Sequence, residues 1–366
     1  MNTKTELIVL AFILAIAVPA HPAIAYYKLI DLGTLGGTNS CAYSINNHGQ
    51  IVGYAYDSSE KWRATLFDPT GGGNNIKLSG QLSEAWSINN NGQMVGSVYD
   101  SSKKWRATLF DPTGGGKNID LGTLSGPDSQ AFSINNNGQI VGWAKNSSEK
   151  WRATLFDPTG GGKNIDLGTL GGEESWAQSI NDYSQIVGGA YWRATLFDPT
   201  GGGNNIDLGT LGDTESWALS INNNGQIVGY ANDFSGNYKA TLFDPTSGGN
   251  NIDLGTLDGW GSWAYSINNL GQIVGSAEDS SGNWRATLFD PIGSGNNIDL
   301  NTLIDPSLGW TLTHAYSINN NGWIVGSGIN PDGYTRAYLL IPEPATIALL
   351  GLCILLATKK HKKTKI

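Results

Sequence analysis

Short hydrophobic runs alternate with polar, glycine-rich stretches along this chain, and the same succession of runs recurs seven times. In the third full unit the runs are Gln130–Ile134, Gln139–Ala144, Trp151–Phe156 and Ile165–Leu170. They alternate between polar and apolar side chains or are rich in β-branched and aromatic residues, and none shows a helical period. The pattern therefore predicts four β-strands in each unit, which we call a, b, c and d in chain order.

The repeats are out of phase with the ends of the chain. It opens with strand d at Ile30–Leu35 and closes with strands a, b and c within Ala315–Leu340, so both ends supply one shared unit. Four antiparallel strands in about 45 residues are typical of a propeller blade. We therefore predict an all-β, seven-bladed β-propeller of four-stranded blades over residues 26–341, closed by the N-terminal strand. An open array or a β-sandwich is the alternative. The SINNNGQIVG element begins at Ser44, Ser87, Ser133, Ser179, Ser220, Ser266 and Ser317.

The connections between strands fall into two groups. The a–b and c–d turns, with sequences NNNG and DPTGGG, are nearly uniform, as asparagine and glycine in tight turns must be. The d–a and b–c loops vary, and the fourth unit loses five residues between Gln185 and Trp192. Because strands alternate in direction, the uniform turns share one face of the ring and the variable loops share the other. Binding sites sit on loops held by a rigid scaffold, so we predict a ligand site on the variable face.

Tryptophans and carboxylates of the variable loops are the candidate ligand-binding residues. Aromatic faces stack on sugar rings, and carboxylates accept hydrogen bonds from sugar hydroxyls, which suits a polysaccharide. The alternative is that these tryptophans, and more so the repeated one of WRATLF, pack between blades. Trp263 lies beside the same loops. The candidates are Trp176, Trp217, Trp260, Trp310, Glu174 and Glu215.

Other chemistries are disfavoured. The adjacent carboxyls of Glu173 and Glu174 cannot easily flank one glycosidic bond, so they are better explained as solvated charge. The INNNGQI turn has asparagines where calcium loops have carboxylates. FDPTGGG is followed neither by the Lys-Ser/Thr pair nor by the helix of a phosphate-binding loop. His314 has no catalytic serine beside it. We therefore expect no catalytic residues, no metal and no cofactor.

Charge narrows the possible partners. The whole chain has 366 residues and a formal charge of −9. Without Lys4, Glu6 and the five lysines of the tail, residues 26–344 hold 16 basic and 30 acidic side chains, a charge of −14. Such a body repels nucleic acid and anionic membrane surfaces. It suits a soluble protein, which we expect to be a monomer, and neutral or cationic ligands.

The first 25 residues have the pattern of a secretory signal peptide. A polar start is followed by an apolar run from Leu7 to Val18 and by Ala23-Ile24-Ala25, the small-residue form that signal peptidase accepts. We predict cleavage after Ala25. A retained membrane anchor is the alternative.

The last 25 residues resemble the PEP-CTERM sorting signal of Gram-negative bacteria. The resemblance rests on Pro342-Glu343-Pro344, the apolar run Ala345–Ala357 and a basic end, which is lysine-rich where the family often carries arginine. It implies cleavage by an exosortase near Pro-Glu-Pro and delivery to the cell surface, commonly in strains that make exopolysaccharide. As a helix the apolar run spans about 20 Å, short of a bilayer core. A simple tail anchor is the alternative.

The repeat itself resembles the HAF family of bacterial extracellular repeats across residues 30–340. SINNNGQIVG and ATLFDPTG carry this resemblance. It implies export and a propeller-like fold, and it implies no activity.

These observations predict an exported, non-enzymatic surface or matrix protein of a Gram-negative bacterium. We expect it to bind exopolysaccharide or another surface protein. We also expect processing by signal peptidase and exosortase, and only transient insertion of the C-terminal apolar segment in the inner membrane. The alternative is an extracellular propeller enzyme acting on polysaccharide, a glycosidase or lyase. Such an enzyme would show one non-repeated patch of Glu, Tyr, His or Arg near the channel mouth.

Overall fold

The computed structural model describes residues 27–246 and 249–343. They form seven four-stranded antiparallel sheets, so the predicted seven-bladed β-propeller is confirmed. The predicted leader with its cleavage site at Ala25 lies outside the described residues, as do Pro344 and the apolar run Ala345–Ala357. No helix within the described ranges is long and apolar enough to cross a membrane.

Each blade has its strands in the order a, b, c, d from the axis outward, and neighbouring a strands contact each other around the axis. We number the blades 1 to 7 by their a strands. The a strands are Gly36–Ile45, Ser83–Ile88, Ser125–Ile134, Ser175–Ile180, Gly212–Ile221, Asp258–Ile267 and Thr311–Ile318. The b strands are Ile51–Asp57, Met94–Tyr99, Ile140–Asn146, Ile186–Ala190, Ile227–Asp233, Ile273–Asp279 and Ile324–Ile329. The c strands are Trp62–Phe67, Trp105–Phe110, Trp151–Phe156, Arg193–Phe197, Tyr238–Phe243, Trp284–Phe289 and Thr335–Pro342. The d strands of blades 1 to 6 are Ile76–Lys77, Ile119–Asp120, Ile165–Asp166, Ile206–Asp207, Ile252–Asp253 and Ile298–Asp299.

The ring closes as the repeat phase predicts. Strand d of blade 7 is Tyr27–Asp31, which pairs antiparallel with strand c of the same blade and places Leu29 opposite Leu340. The predicted bounds, Ile30–Leu35, were shifted toward the C-terminus. The strand ends early because the chain turns at Gly33, whose φ is +68°. Closure of this kind leaves no strand of the last blade unpaired.

The other d strands are shorter than predicted. Strand d of blade 3 was expected at Ile165–Leu170, but only Ile165–Asp166 forms a strand. One more ladder bond follows, from Leu167 N–H to the Ala153 carbonyl at 2.8 Å. Gly168, with φ +79°, then turns the chain toward blade 4. The apolar pattern continued past this point because Leu167 is buried in the next interface between blades.

The long loop before the last a strand is ordered by two short 3₁₀ helices, Leu300–Leu303 and Pro306–Leu308. Leu303 and Ile304 are buried in the core. The Asn301 side chain donates to the Leu312 carbonyl and accepts from the Leu312 N–H. This loop departs from the repeat, and its buried side chains and hydrogen bonds give it a structural role.

The hydrophobic core lies between the blades, as seven separate apolar clusters. Each holds alanines, valines and isoleucines of two neighbouring blades, which allow close approach of the sheets. The glycine of the IVG sequence is needed within a blade. A Cβ on Gly53 would collide with the Cys41 carbonyl, beside a register shift between Ala42 and Ser44 of the a strand.

A closed ring of asparagine hydrogen bonds surrounds the axis at the a–b turns. The first asparagine of each turn donates from Nδ2 to the backbone carbonyl of its counterpart in the next blade, at 2.9–3.0 Å. Its Oδ1 accepts two backbone N–H groups of its own turn, as Asn46 does from His48 and Gln50. The uniform turn sequence therefore serves contacts between blades as well as turn geometry. The ring consists of Asn46, Asn89, Asn135, Asn181, Asn222, Asn268 and Asn319.

Candidate functional site

The b–c turn of blade 4 is unlike its six counterparts. The loss of five residues leaves only Tyr191 and Trp192 between strands b and c, where Ala190 pairs directly with Arg193. Both residues have positive φ, +50° and +63°. Two-residue hairpin turns with this backbone strongly favour Asn-Gly. Bulky residues in such conformations cost on the order of 1–3 kcal/mol each, and such strain is concentrated at functional sites.

This turn projects two aromatic side chains into solvent. Tyr191 is 64% exposed and Trp192 is 61% exposed. The Tyr191 ring lies against Gly172, where a Cβ would collide with it. The backbone is fixed on both sides, because Tyr191 N–H donates to the Glu174 carbonyl at 3.3 Å and Ser216 N–H donates to the Trp192 carbonyl at 2.9 Å. The d–a loop before blade 4 and strand a of blade 5 thus hold the turn in place.

A cleft lies on each side of the turn, and both clefts are lined by the two aromatic side chains. The first, of about 490 Å³, also contains Trp176 and the loop glycines before it. The second, of about 420 Å³, also contains Leu170 and Thr214. Both open on the variable face, where sequence analysis predicts the ligand site.

The first cleft carries two carboxylates and one cation. Lys150 Nζ lies 2.6 Å from Glu173 Oε2. This pairing raises the pKa of Lys150 and lowers the pKa of Glu173. Glu174 is half-buried, and its carboxylate has no hydrogen bond among the described residues. The lining therefore has a formal charge of −1.

The second cleft repeats this composition. Arg193 Nη2 lies 3.2 Å from Asp207 Oδ2, and Arg193 also donates to the Thr214 carbonyl at 3.5 Å. The further carboxylate is Glu215, whose Oε2 accepts the Tyr238 hydroxyl at 2.9 Å. The formal charge of this lining is again −1. Each cleft thus combines an aromatic wall, an ion pair and one additional carboxylate.

The structure brings three of the six sequence candidates to this turn, namely Trp176, Glu174 and Glu215. Trp176 lines the first cleft while its ring stacks on that of Trp151, 6.1 Å away. Trp217 is half-buried, and its ring covers Gly189, whose missing side chain makes room for it. Trp217 thus packs between blades 4 and 5, behind the clefts.

The other tryptophans lie elsewhere. Trp260 is 72% exposed, but it belongs to blade 6. Trp310 packs against the apolar cluster between blades 6 and 7, and Trp263 stacks on Trp284 with ring centroids 4.7 Å apart. For Trp310 and Trp263 the structure gives the interior packing that sequence analysis held as the alternative.

Sequence analysis missed Tyr191 and Trp192. Trp192 aligns with the first residue of strand c in other blades, where Trp105 and Trp284 pack against neighbouring rings. The five-residue loss moves it out of the strand and into the turn. That loss was the available signal, but the sequence did not show which side chains it would expose.

A second cluster of side chains that do not follow the repeat lies near the axis on the variable face. Glu84 is half-buried, and burial raises its pKa to about 7. Its charge acts on Cys41, Tyr43 and Tyr54, whose pKa values are raised chiefly by burial. Burial also lowers the pKa of His314, in blade 7 on the other side of blade 1. Ring contacts between neighbouring blades link five aromatic side chains around the axis, which are Tyr265, Tyr316, Tyr43, Trp86 and Phe132.

Within residues 27–246 and 249–343, no group of three or more His, Cys, Asp or Glu side chains is arranged to hold a metal ion.

Comparisons with known proteins give little beyond architecture. A family model described as "Protein of unknown function (DUF3466)" matches residues 204–307. A search of curated proteins found no match.

Several solved structures are similar in outline. A gluconolactonase of Xanthomonas campestris has 11% identity and a TM-score of 0.43, over 88% of this chain and 93% of that one. A lectin of Aleuria aurantia, in complex with Fucα1-6GlcNAc, has 14% identity and a TM-score of 0.37, over 83% and 96%. A sialidase of Trypanosoma rangeli has 11% identity and a TM-score of 0.38, over 93% and 59%. At these scores the three proteins indicate neither a substrate nor a ligand for this chain.

Proposed function

We propose that this protein is a non-enzymatic, polysaccharide-binding protein of the cell surface or extracellular matrix, and that the Tyr191–Trp192 turn is its binding site. The observation that carries the proposal is the pair of solvent-exposed aromatic rings held in a strained turn between two clefts. Aromatic faces stack on sugar rings, and the carboxylates beside them accept hydroxyl hydrogen bonds. A rigid ring that supports this turn loses little entropy on binding.

Replacing the aromatic side chains tests the site. A glycan array with the purified protein identifies the oligosaccharides that bind, and Trp192→Ala should weaken that binding about two- to tenfold, since stacking on one ring is worth roughly 0.5–1.5 kcal/mol. Trp260→Ala is the matched control, because Trp260 is an exposed tryptophan of the same face on another blade. Loss of binding in Trp260→Ala with none in Trp192→Ala would refute the proposed site.

Export and surface delivery belong to the same proposal. We infer cleavage by signal peptidase after Ala25 and by an exosortase near Pro342-Glu343-Pro344, with transient insertion of the C-terminal segment in the inner membrane. Pro342 is the last residue of strand c in blade 7 and pairs with Tyr27. Cleavage beyond Pro342 and before Tyr27 would therefore leave the ring complete. Mass spectrometry of the exported protein tests this inference, and a retained Ile366 would contradict it.

An extracellular polysaccharide-degrading enzyme is the second candidate, and Glu84 is the observation that favours it. A half-buried carboxyl with a pKa of about 7 suits a general acid. Hydrolysis also needs a second carboxyl, and burial is the sole cause of the Glu84 shift, with no neighbouring carboxyl contributing. Release of reducing ends from a bound polysaccharide, lost in Glu84→Gln, would establish the enzyme. Binding without release supports the binding protein.

A further inference from the structure

The two clefts beside the Tyr191–Trp192 turn have matching chemistry, and that match defines a class of polysaccharide. The inference rests on the proposed function and specifies its ligand. Each cleft has one ion pair, Lys150 with Glu173 or Arg193 with Asp207, so neither cation is free to receive an anionic ligand. Each cleft then has one carboxylate that no cation pairs with directly.

These two carboxylates are Glu174 in the first cleft and Glu215 in the second. Glu174 is half-buried and accepts no hydrogen bond from the described residues. Glu215 accepts one hydrogen bond, from the Tyr238 hydroxyl, and a carboxylate can accept several. Both therefore have unused acceptor capacity and a negative charge near the exposed rings of Tyr191 and Trp192. An ammonium group suits both the carboxylates and the aromatic rings, because it donates hydrogen bonds to carboxylates and is attracted by aromatic faces.

We propose that this site binds a polysaccharide with free amino groups, such as a partly de-N-acetylated hexosamine polymer, which crosses the turn with an amino sugar in each cleft. The clefts lie on opposite sides of one two-residue turn and open to solvent, so a linear chain can continue past them in both directions. Uronic acid polymers are disfavoured, because their carboxylates would meet Glu174 and Glu215. The acidic body, with a formal charge of −14 over residues 26–344, favours the same ligand at longer range.

Three oligosaccharides of equal length test the proposal by calorimetry at low ionic strength: hexamers of glucosamine, of N-acetylglucosamine and of galacturonic acid. We expect the glucosamine hexamer to bind about tenfold more tightly than its acetylated counterpart, since each partly exposed charge pair contributes a few-fold. The galacturonate hexamer should not bind. The preference should decline with added salt, because screening weakens these contacts.

Isosteric variants locate the preference. Glu174→Gln and Glu215→Gln should each reduce it, and the double variant should bind both hexosamine hexamers alike. Glu60→Gln is the matched control, because Glu60 is an exposed glutamate at the b–c turn of blade 1 on the same face. It should leave the preference intact.

The outcomes separate this inference from the proposed function. Equal or tighter binding of the acetylated hexamer, or a preference that persists in the double variant, overturns the amino-sugar inference while the polysaccharide site stands. Failure of every glycan on the array and of all three hexamers to bind overturns both.

Discussion

At the scale of single residues, Tyr191 and Trp192 have two unfavourable features that folding does not require, a strained backbone and exposed aromatic rings. Their φ values of +50° and +63° are unfavourable for aromatic residues, and both rings remain more than half exposed to water. Elsewhere in the ring, the corresponding tryptophans lie in strand c and contact other aromatic rings. Residues that reduce stability at such a place are typical of binding sites, where stability and function oppose each other.

Replacing Tyr191–Trp192 with Asn-Gly should therefore stabilise the fold and abolish glycan binding. Asparagine and glycine adopt positive φ readily, so we expect the free energy of unfolding to rise by about 1–3 kcal/mol. Urea unfolding measures the first effect and calorimetry with the glycan measures the second. A variant that is less stable than the parent would show that the aromatic rings contribute more packing than their exposure suggests.

Glu84 gives a prediction about pH. Burial raises its pKa from 4.5 to about 7, so between these values the folded protein holds a proton that the unfolded chain has released. Stability from this group is complete below pH 4.5 and is lost as pH rises to about 7, by on the order of 2 kcal/mol. Glu84→Gln should match the parent near pH 4.5 and exceed its stability at pH 8, measured by urea unfolding. A difference that stays constant from pH 5 to 8 would contradict this, and Glu60→Gln, which alters an exposed carboxyl, serves as control.

At the scale of strands and turns, the repeated residues form hydrogen bonds between neighbouring blades. The asparagine ring joins every a–b turn to the next, and asparagines of the c–d turns make a second set of contacts. Asn75, for example, donates to the Leu32 and Thr34 carbonyls of the neighbouring blade. The donors of both sets belong to the uniform turns, so contacts between blades as well as turn geometry account for the repeated turn sequences.

Because Asn222 belongs to the asparagine ring, Asn222→Ala should destabilise the protein. Asn222 is 4% exposed and donates to Gln226 Oε1 at 2.8 Å and to the Asn268 carbonyl at 2.9 Å. Removing the side chain leaves buried backbone groups unpaired, so we expect a loss of about 1–3 kcal/mol in the free energy of unfolding. Asn204→Lys is the matched control, because Lys163 occupies the corresponding position in the preceding blade. Equal effects of the two substitutions would show that the asparagine ring does not contribute specifically to stability.

Most of the strands and turns could be predicted from the sequence, but some of their features could not. Glycine and asparagine spacing predicted the turns, and strands b and c of blade 3 were predicted to within about two residues. Strand a was drawn too short, because Ser125 also pairs with Asn146, across a register shift that a local pattern does not reveal. Strand d was drawn too long, because Leu167 continues an apolar pattern while it already packs against the next blade. The packing of Trp217 between blades 4 and 5 depends on Gly189, its partner across the interface, and no local pattern joins the two residues. Tyr191 and Trp192 were missed because their exposure results from the loss of five residues from the connection between strands b and c, which leaves these two residues as the turn.

At the scale of the whole molecule, closure of the ring makes the seven blades one cooperative unit. Strand d of blade 7 comes from the start of the described chain and pairs over five residues, from Tyr27 opposite Pro342 to Asp31 opposite Tyr338. The other d strands have two residues each, so this longer pairing compensates for the break in chain connectivity. A ring held in this way keeps the two clefts of blade 4 at a fixed separation.

Ile30→Pro should open this closure. The Leu32 N–H donates to the Ala337 carbonyl, and donors alternate along an antiparallel strand, so the Ile30 N–H also faces strand c, opposite Leu339. Proline removes that donor, so we expect a loss of about 3 kcal/mol in the free energy of unfolding. Thermal unfolding followed by circular dichroism measures the loss, and size-exclusion chromatography detects association through the exposed edge. Lys28→Ala, at an exposed position of the same strand, should change neither. Unchanged stability in Ile30→Pro would mean that the closure contributes little.

Photo-cross-linking tests the central claim, the location of the ligand site, most directly. Hexamers of glucosamine and of N-acetylglucosamine, each carrying a diazirine, would be irradiated with the protein, and the modified peptides would be mapped by mass spectrometry. The account predicts modification within residues 171–176, 191–193 and 213–215, and its loss when Tyr191–Trp192 is replaced with Asn-Gly. Modification confined to the a–b turns, or to the region of Trp260 on blade 6, would contradict it.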